Sequence, residues 1–431
     1  MKELMPEKIL LRSGRLIDPS TQRDEIVDIL IIDGIIKSIE TKITPEIDQT
    51  VVDLNKKIIA PGFIDIHVHL REPGYEHKET IETGTRAAAY GGFTAVCCMP
   101  NTNPAIDDES IVTFITTQGK KANNGIVDVY PIASVSKSRE GKTLSPIAEL
   151  VHAGAVGLSD DGAPVYDAKL MRRALEYAMM YNVPVMQHCE IPELSHGGVM
   201  NEGRVSTELG LPGIPGVAEE IMIARDLLLA EYTNSRYHVC HMSTAAAVDL
   251  VREGKKKGVK VTCEVTPHHF TVTDEIVRSY DTNTKMNPPL RTQEDIEAIK
   301  TGLKDGTIDV IATDHAPHSL DEKEVDYIQA PFGIVGLETA IGLTISELVS
   351  EKVISVNQMI EKFSVNPRKI IGKEIRVAAG EAANLTFIDP AIEWTVDISK
   401  FKSKSKNSPF NGRTLKGKAV GIYNNGKLML Y

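Results

Sequence analysis

Apolar and polar positions alternate with a period near two through the first sixty residues. The stretches 8–18 and 26–40 read as short strands, and 51–54 continues in the same style. Asp33-Gly34 falls between two of these runs. It is a hairpin signal, because both residue types tolerate the left-handed backbone of a two-residue turn. The C-terminal end has the same rhythm over 383–389, 419–424 and 427–431, with Asn425-Gly426 as a second hairpin signal. No helix-length amphipathic segment precedes residue 60. Two β-rich ends around a different middle predict one small β-domain built from both termini (1–57 and 375–431), flanking a second domain over 58–374.

In the middle, strand-like and helix-like stretches take turns. Strands are predicted at 61–72, 93–99, 127–134, 155–161, 183–190, 237–243, 260–269 and 308–315. Helices follow them at 79–90, 107–122, 145–153, 167–181, 217–232, 244–257, 292–303 and 336–348. Eight β-then-α units are what a closed (β/α)₈ TIM barrel requires. An open doubly wound sheet is the alternative, but no G-x-G-x-x-G follows the first strand.

The strands begin apolar and end polar. The first, PGFIDIHVHLRE, carries His67 and His69 two positions apart, so both imidazoles point to one face, with Arg71 at the same parity beyond them. The second ends in Asn101, the fourth in Asp160-Asp161, the fifth in His188, the sixth in His241 and the eighth in Asp314. A barrel gathers such ends at its C-terminal mouth. Four histidines and two aspartates from five strands are more ligands than one tetrahedral ion needs. Two metal ions about 3.5–4 Å apart, sharing a carboxylate and a hydroxide, use them. Whether Asp160 or Asp161 faces the mouth is left open by parity. His238 and His315 have the opposite parity to His241 and Asp314, and read as supporting residues. His268 and His269 read as loop packing, and His77, His152 and His196 as solvated or locally bonded. The run Lys255-Lys256-Lys257 reads as a solvated helix end.

Composition narrows the function classes. The chain has 431 residues, 42% hydrophobic and 25% charged, enough for a large core and a second domain. A net charge of −11 argues against nucleic-acid and anionic-membrane partners, so an anionic substrate must be met by local cations. The N-terminal MKELMPEKIL lacks the apolar run of a signal peptide, and no stretch approaches membrane-spanning length. Five cysteines without a CxxC spacing are expected as buried thiols, and the expected location is the cytoplasm.

PGFIDIHVHLREPG resembles the signature of the amidohydrolase superfamily. ETIETGTRAAAYGGFTAVCCMPNTNP, YHVCHMST, EVTPHHF, KMNPPLR, IATDHAPH and PFGIVGLE extend the similarity to the bacterial class I dihydroorotase family over essentially the whole chain. The resemblance implies a zinc-dependent barrel with a composite β-sandwich from both termini. It implies His67 and His69 as ligands of a first metal and His188 and His241 of a second. Asp161 in GLSDDG bridges the two, and Asp314 touches the first metal and serves as catalytic base. Many relatives bridge with a carbamylated lysine, and 155–162 contains no lysine. That departure favours class I over those relatives, and the resemblance implies two Zn²⁺ per subunit. Substrate contacts are implied for His69, Arg71, Asn101, Asn287, Asp314, His318, Phe332 and Gly333, with 319–331 as a bordering, lid-like loop. The implied reaction is the reversible cyclisation of N-carbamoyl-L-aspartate to dihydroorotate in pyrimidine biosynthesis. A homodimer, and association with aspartate transcarbamoylase, are implied in the same way. The rival readings are another cyclic amidohydrolase (dihydropyrimidinase, hydantoinase or allantoinase), a non-catalytic homologue serving as a structural partner, and a metal-binding protein without catalysis. HLRE and SDDG speak against the first, no ligand is missing as the second requires, and Asp314 beside substrate-type residues disfavours the third.

Overall fold

Eight short parallel strands form the centre of the structure, a computed structural model that describes residues 2–4 and 7–431. They are β1 (Phe63–Val68), β2 (Phe93–Cys98), β3 (Asp128–Ala133), β4 (Gly157–Leu158), β5 (Val185–Gln187), β6 (Tyr237–Val239), β7 (Val261–Val265) and β8 (Val310–Ile311). Neighbours pair in sequence order from β1 to β8. The ring closes where Val68 bridges His315 in parallel and the His69 N–H donates to the His315 carbonyl at 2.8 Å. The main helices between and after the strands are α1 (Ile81–Gly91), α2 (Glu109–Lys121), α3 (Ile147–Ala153), α4 (Ala168–Met180), α5 (Val217–Thr233), α6 (Ala245–Lys256), α7 (Gln293–Asp305) and α8 (Ala340–Thr344). The expected (β/α)₈ barrel is present.

Local chemistry explains where the helices start. Side-chain oxygens of Thr80, Asp108, Asp167, Thr244 and Thr292 each accept a first-turn N–H that has no partner within the helix. The strands are shorter than predicted; β4 and β8 keep only two residues each of 155–161 and 308–315. Only the apolar beginnings join the ladder, and the polar ends leave it to turn inward. The eighth helix also begins later than the predicted 336, and at Ile345–Val349 it widens into a π-helical turn. Ile64, Ile66, Cys97, Met186 and Cys240 fill the barrel interior, while a larger apolar layer separates the strands from the helices. All five cysteines are buried and unpaired. Among the described residues no helix is long and apolar enough to cross a membrane.

The two β-rich ends build one continuous nine-stranded sheet. Its order is Lys2–Leu4, Lys427–Leu430, Thr414–Asn424, Leu385–Thr395, Ile58–Pro61, Lys8–Asp18, Arg23–Ile32 and Ile35–Glu40, with Thr50–Asp53 also pairing to Lys8–Asp18. Strands from both ends contribute to a single apolar cluster that includes Ile9, Leu16, Ile29, Phe387 and Leu428. Both predicted hairpin turns are left-handed at two successive residues, with φ of 51° and 79° at Asp33-Gly34 and of 51° and 73° at Asn425-Gly426. Ile58–Pro61 belongs to this sheet, so the chain passes into the barrel at Gly62, just beyond the 57/58 junction read from the sequence. A Cβ at Gly62 would lie 1.7 Å from Asn384 Oδ1, so only glycine allows the sheet and barrel to meet this closely. The connection 396–413 leaves the sheet and reaches the mouth of the barrel, where it packs against the turns after β1 and β8.

Candidate active site

Asp161 stands at the centre of the mouth. Its Oδ1 is 3.3 Å from His67 Nε2, 3.5 Å from His241 Nε2 and 3.9 Å from His188 Nδ1, and its Oδ2 is 3.6 Å from His69 Nε2. Asp314 Oδ1 lies 2.9 Å from His69 Nε2 and 3.6 Å from His67 Nε2. The structure thus brings together all six of the predicted metal-type residues. Asp160 takes no part, because its carboxylate accepts hydrogen bonds from the Ser136 hydroxyl and from the Ser136 N–H at 3.1 Å.

The backbone turns these side chains inward at a cost. His241, Asp314 and Arg71 have φ of 32°, 47° and 61°, the left-handed region that L-residues with side chains avoid. Each such residue costs on the order of 1–3 kcal/mol and persists only where surrounding structure enforces it. For Arg71 this corrects the parity reading. β1 ends at Val68, so strand alternation no longer applies at residue 71, and the left-handed turn carries the guanidinium to the rim instead.

A second row of acceptors sets the imidazole tautomers. His67 Nδ1 is 2.5 Å from Glu264 Oε1, His69 Nδ1 is 2.7 Å from Asn101 Oδ1, and His188 Nε2 is 2.7 Å from Glu190 Oε2. Each acceptor takes the ring N–H and leaves the other nitrogen, with its lone pair, facing Asp161. His188 Nδ1 and His241 Nε2 face one another at 3.0 Å. His67 Nε2 and Asp161 Oδ1 are buried here without a hydrogen-bond partner. Unpartnered nitrogen and carboxylate atoms converging in a dry centre are the environment of a cation. His67, His69 and Asp161 form one group of ligand-capable atoms, and Asp161, His188 and His241 a second. The arrangement fits a metal cofactor.

The ionisation states agree with an anionic centre. Burial disfavours a charged His67, but the carboxylates of Glu264 and Asp161 outweigh it and hold its pKa well above the ordinary value. His188 is raised in the same way, burial being overcome by the hydrogen bond to Glu190. Burial also opposes ionised Asp161 and Asp314, yet the surrounding imidazoles keep both below the usual carboxylate range.

An open cavity of about 370 Å³ lies above this centre. Every predicted metal-type or substrate-type residue lines it except His67, which is buried beneath. Arg71 Nε donates to the Pro317 carbonyl at 3.2 Å and Nη2 lies 3.4 Å from His318 Nε2; among the described residues it has no carboxylate partner. His318, whose pKa burial and the nearby Arg71 push down to about 3, is a neutral imidazole 2.9 Å from the Phe332 carbonyl. The two asparagines are engaged: Asn101 bridges His69 and Asp161 (Nδ2 to Oδ2, 3.4 Å), and Asn287 Nδ2 donates to Glu190 at 2.5 Å.

Sequence reasoning missed Glu190 and Glu264. Glu264 left a signal: an acid inside the otherwise β-forming run VTCEV must find a partner when buried. His238, read as a supporting residue, holds the other oxygen of Glu264 at 3.1 Å, and His315 lies 3.3 Å from Glu79.

A parallel barrel with histidines and aspartates converging at its C-terminal mouth defines an amidohydrolase-type enzyme. A dihydro-orotase-like family model matches residues 56–247. The dihydroorotase of Acetivibrio thermocellus is 49% identical over 98% of this chain and 99% of its own length. That of Pelotomaculum thermopropionicum is 52% identical over 95% of each. The chain belongs to the dihydroorotase family. Among solved structures, the L-hydantoinase (dihydropyrimidinase) from Arthrobacter aurescens matches with a TM-score of 0.85 at 24% identity, covering 98% of this chain and 96% of that one. A dihydropyrimidinase from Brevibacillus agri matches at 0.83 and 21%, covering 98% and 95%. At these identities the structural likeness speaks for the fold.

Proposed function

We propose that this pocket interconverts dihydroorotate and N-carbamoyl-L-aspartate, opening or closing the ring at an amide C–N bond, with a pair of zinc ions. The observation that carries the substrate is Arg71, a guanidinium at the rim of the ligand cluster with no carboxylate partner among the described residues. Its planar fork fits a carboxylate, a contact worth about 1.5–3 kcal/mol. A neutral cyclic amide such as dihydrouracil offers nothing to pair with it.

His67 and His69 would hold one ion, His188 and His241 the other, with Asp161 between them; His67, His69 and His188 would each offer the nitrogen left bare by its acceptor, and His241 the Nε2 that faces Asp161. When bound, the ions polarise the ring carbonyl and generate hydroxide from water near neutral pH. Arg71 takes the substrate carboxylate and thereby orients the ring over Asp161 and Asp314. The ring amides meet Asn287 and the backbone at Phe332-Gly333. Asp314, kept ionised by the imidazoles around it, accepts the proton released as the C–O bond forms and delivers it to the departing ring nitrogen. In the biosynthetic direction the same carboxylate removes that proton from the ureido nitrogen as the ring closes. His318 supports the wall against which the ring lies. The loop 319–331 borders the same pocket as a lid.

We also propose two ions per subunit, a cytoplasmic location, a homodimer and docking to aspartate transcarbamoylase. The domain division lies near Gly62 and residue 375. Assays of the purified protein with dihydroorotate, dihydrouracil, hydantoin and allantoin, before and after chelation and zinc return, test the reading. Turnover of dihydroorotate, lost on chelation and restored by zinc, is the expected result. Activity on dihydrouracil without activity on dihydroorotate would overturn the substrate, and chelation-insensitive turnover the metal.

A further inference from the structure

We propose that Asn407 is a positioning residue for the substrate-facing wall of the pocket, so that the C-terminal connection 396–413 completes the active site. The side-chain amide of Asn407 uses both its N–H donors and its oxygen on that wall. Nδ2 donates to the Ala316 carbonyl at 3.1 Å and to the Gly333 carbonyl at 3.0 Å, and Oδ1 accepts the His318 N–H at 3.1 Å. Ala316, His318 and Gly333 all line the cavity. They lie on the two arms of chain that enclose the loop 319–331. A backbone bond from Ala316 N to the Ile334 carbonyl, 2.8 Å, pairs the arms at their base. Asn407 ties them together again, nearer the rim.

The connection is itself firmly seated. The Ser403 hydroxyl donates to Glu79, the Lys404 N–H donates to Glu79 Oε1 at 3.0 Å, and Ser405 Oγ donates to the Lys78 carbonyl at 2.7 Å. The Val335 N–H donates to the Asn407 carbonyl at 2.9 Å. Phe401 and Phe410 pack with Met286, Leu290, Ile334 and Val335. Asn407 is 5% exposed, so water does not substitute for its amide. The wall it holds has little slack: Gly333 has φ of 125°, and a Cβ there would come within 2.7 Å of Ala316 Cβ. Displacing the carbonyls of Ala316 and Gly333 therefore displaces His318 and the Phe332-Gly333 backbone. An aspartate of the same shape would keep the acceptor, lose both donors and face two carbonyl oxygens.

This inference rests on the pocket being the dihydroorotate site. Its test compares wild type, Asn407→Asp and Asn407→Ala for dihydroorotate kinetics, bound zinc and thermal unfolding. Asn424→Asp serves as the control, removing similar buried amide bonds (Nδ2 to the Thr94 and Ile126 carbonyls, 3.2 and 3.0 Å) outside the pocket. Both Asn407 variants are expected to raise KM roughly ten-fold or more, with kcat within about threefold and zinc content unchanged. Asn424→Asp is expected to lower the melting temperature and leave KM alone. An unchanged KM in a folded Asn407 variant, or both Asn407 variants failing to fold, overturns the positioning role while wild-type turnover stands. Absence of wild-type turnover on dihydroorotate overturns the functional reading and the Asn407 role with it.

Discussion

Glu264 Oε1 stands 2.5 Å from His67 Nδ1, and the second oxygen of the same carboxylate is 3.1 Å from His238 Nε2. The acid is fully buried, and its pKa is held well below the usual carboxylate range: burial opposes the charge, but His67 and His238 outweigh that penalty. It therefore accepts the Nδ1–H of His67 and leaves Nε2 bare toward Asp161. Strand β7 thus orients a residue of strand β1, past the intervening β8.

Neutralising that acceptor weakens the ligand. Glu264→Gln places an amide where a full carboxylate charge made His67 a stronger ligand, and is expected to weaken metal binding about 10- to 100-fold. Zinc titration against a competing chelator checks this. Activity should return at high zinc, and a variant with unaltered affinity would show that Glu264 does not tune the ligand.

Asp314→Asn keeps the shape next to His69 but removes the base. Turnover is expected to fall about 10²- to 10⁴-fold with zinc still bound. Metal analysis alongside steady-state kinetics checks it, and near-wild-type kcat would assign the proton to another group.

Arg71→Ala removes the guanidinium fork that lines the cavity. The loss of about 1.5–3 kcal/mol corresponds to roughly 10- to 150-fold in kcat/KM for dihydroorotate. Arg71→Lys should recover only part of it, since an ammonium lacks the bidentate geometry. Equal kcat/KM in all three proteins would separate Arg71 from the substrate.

The root of loop 319–331 is expected to respond to pH. Lys323 Nζ donates to the Thr282 and Pro331 carbonyls at 3.1 and 2.8 Å, and Lys285 Nζ to the Tyr327 and Ile328 carbonyls at 2.9 Å each. No carboxylate pairs with either among the described residues. Burial, with the neighbouring Lys285 adding to it, pushes Lys323 down to about 7, and burial pushes Lys285 to about 8. A lysine depressed in the fold binds fewer protons folded than unfolded between that value and its ordinary 10.5. Its destabilising contribution is full below about pH 7 and fades as pH rises toward 10.5. The stability of wild type relative to Lys323→Met is therefore expected to rise between pH 7 and 9.5, by at most about 1.4 kcal/mol per pH unit. Urea unfolding at pH 6.5, 8 and 9.5 measures the difference, and a flat profile would refute it.

Much of this protein was legible locally. The unit order of the barrel follows from strand and helix periodicities, which are set by backbone geometry within each segment. The turns at Asp33-Gly34 and Asn425-Gly426 follow from residues that accept positive φ. His67 and His69 share a space, their rings 5.5 Å apart, because the pairing runs one residue past Val68, through the His69 N–H to the His315 carbonyl. Alternation fails one step later, at Arg71, where the ladder has ended. Local spacing also carries nothing about contacts made by closure. Asp161 rather than Asp160 meets the histidines because Ser136, from the turn after β3, captures Asp160. Glu264 orients His67 because the ring brings strands far apart in sequence within hydrogen-bond reach, whereas Glu190 meets His188 from two positions along the same turn. Asn407 touches Ala316, His318 and Gly333 because a connection in the terminal sheet reaches over to the mouth. Periodicity is a property of one segment, whereas these contacts belong to surfaces that exist only once the barrel has closed and the two chain ends have paired.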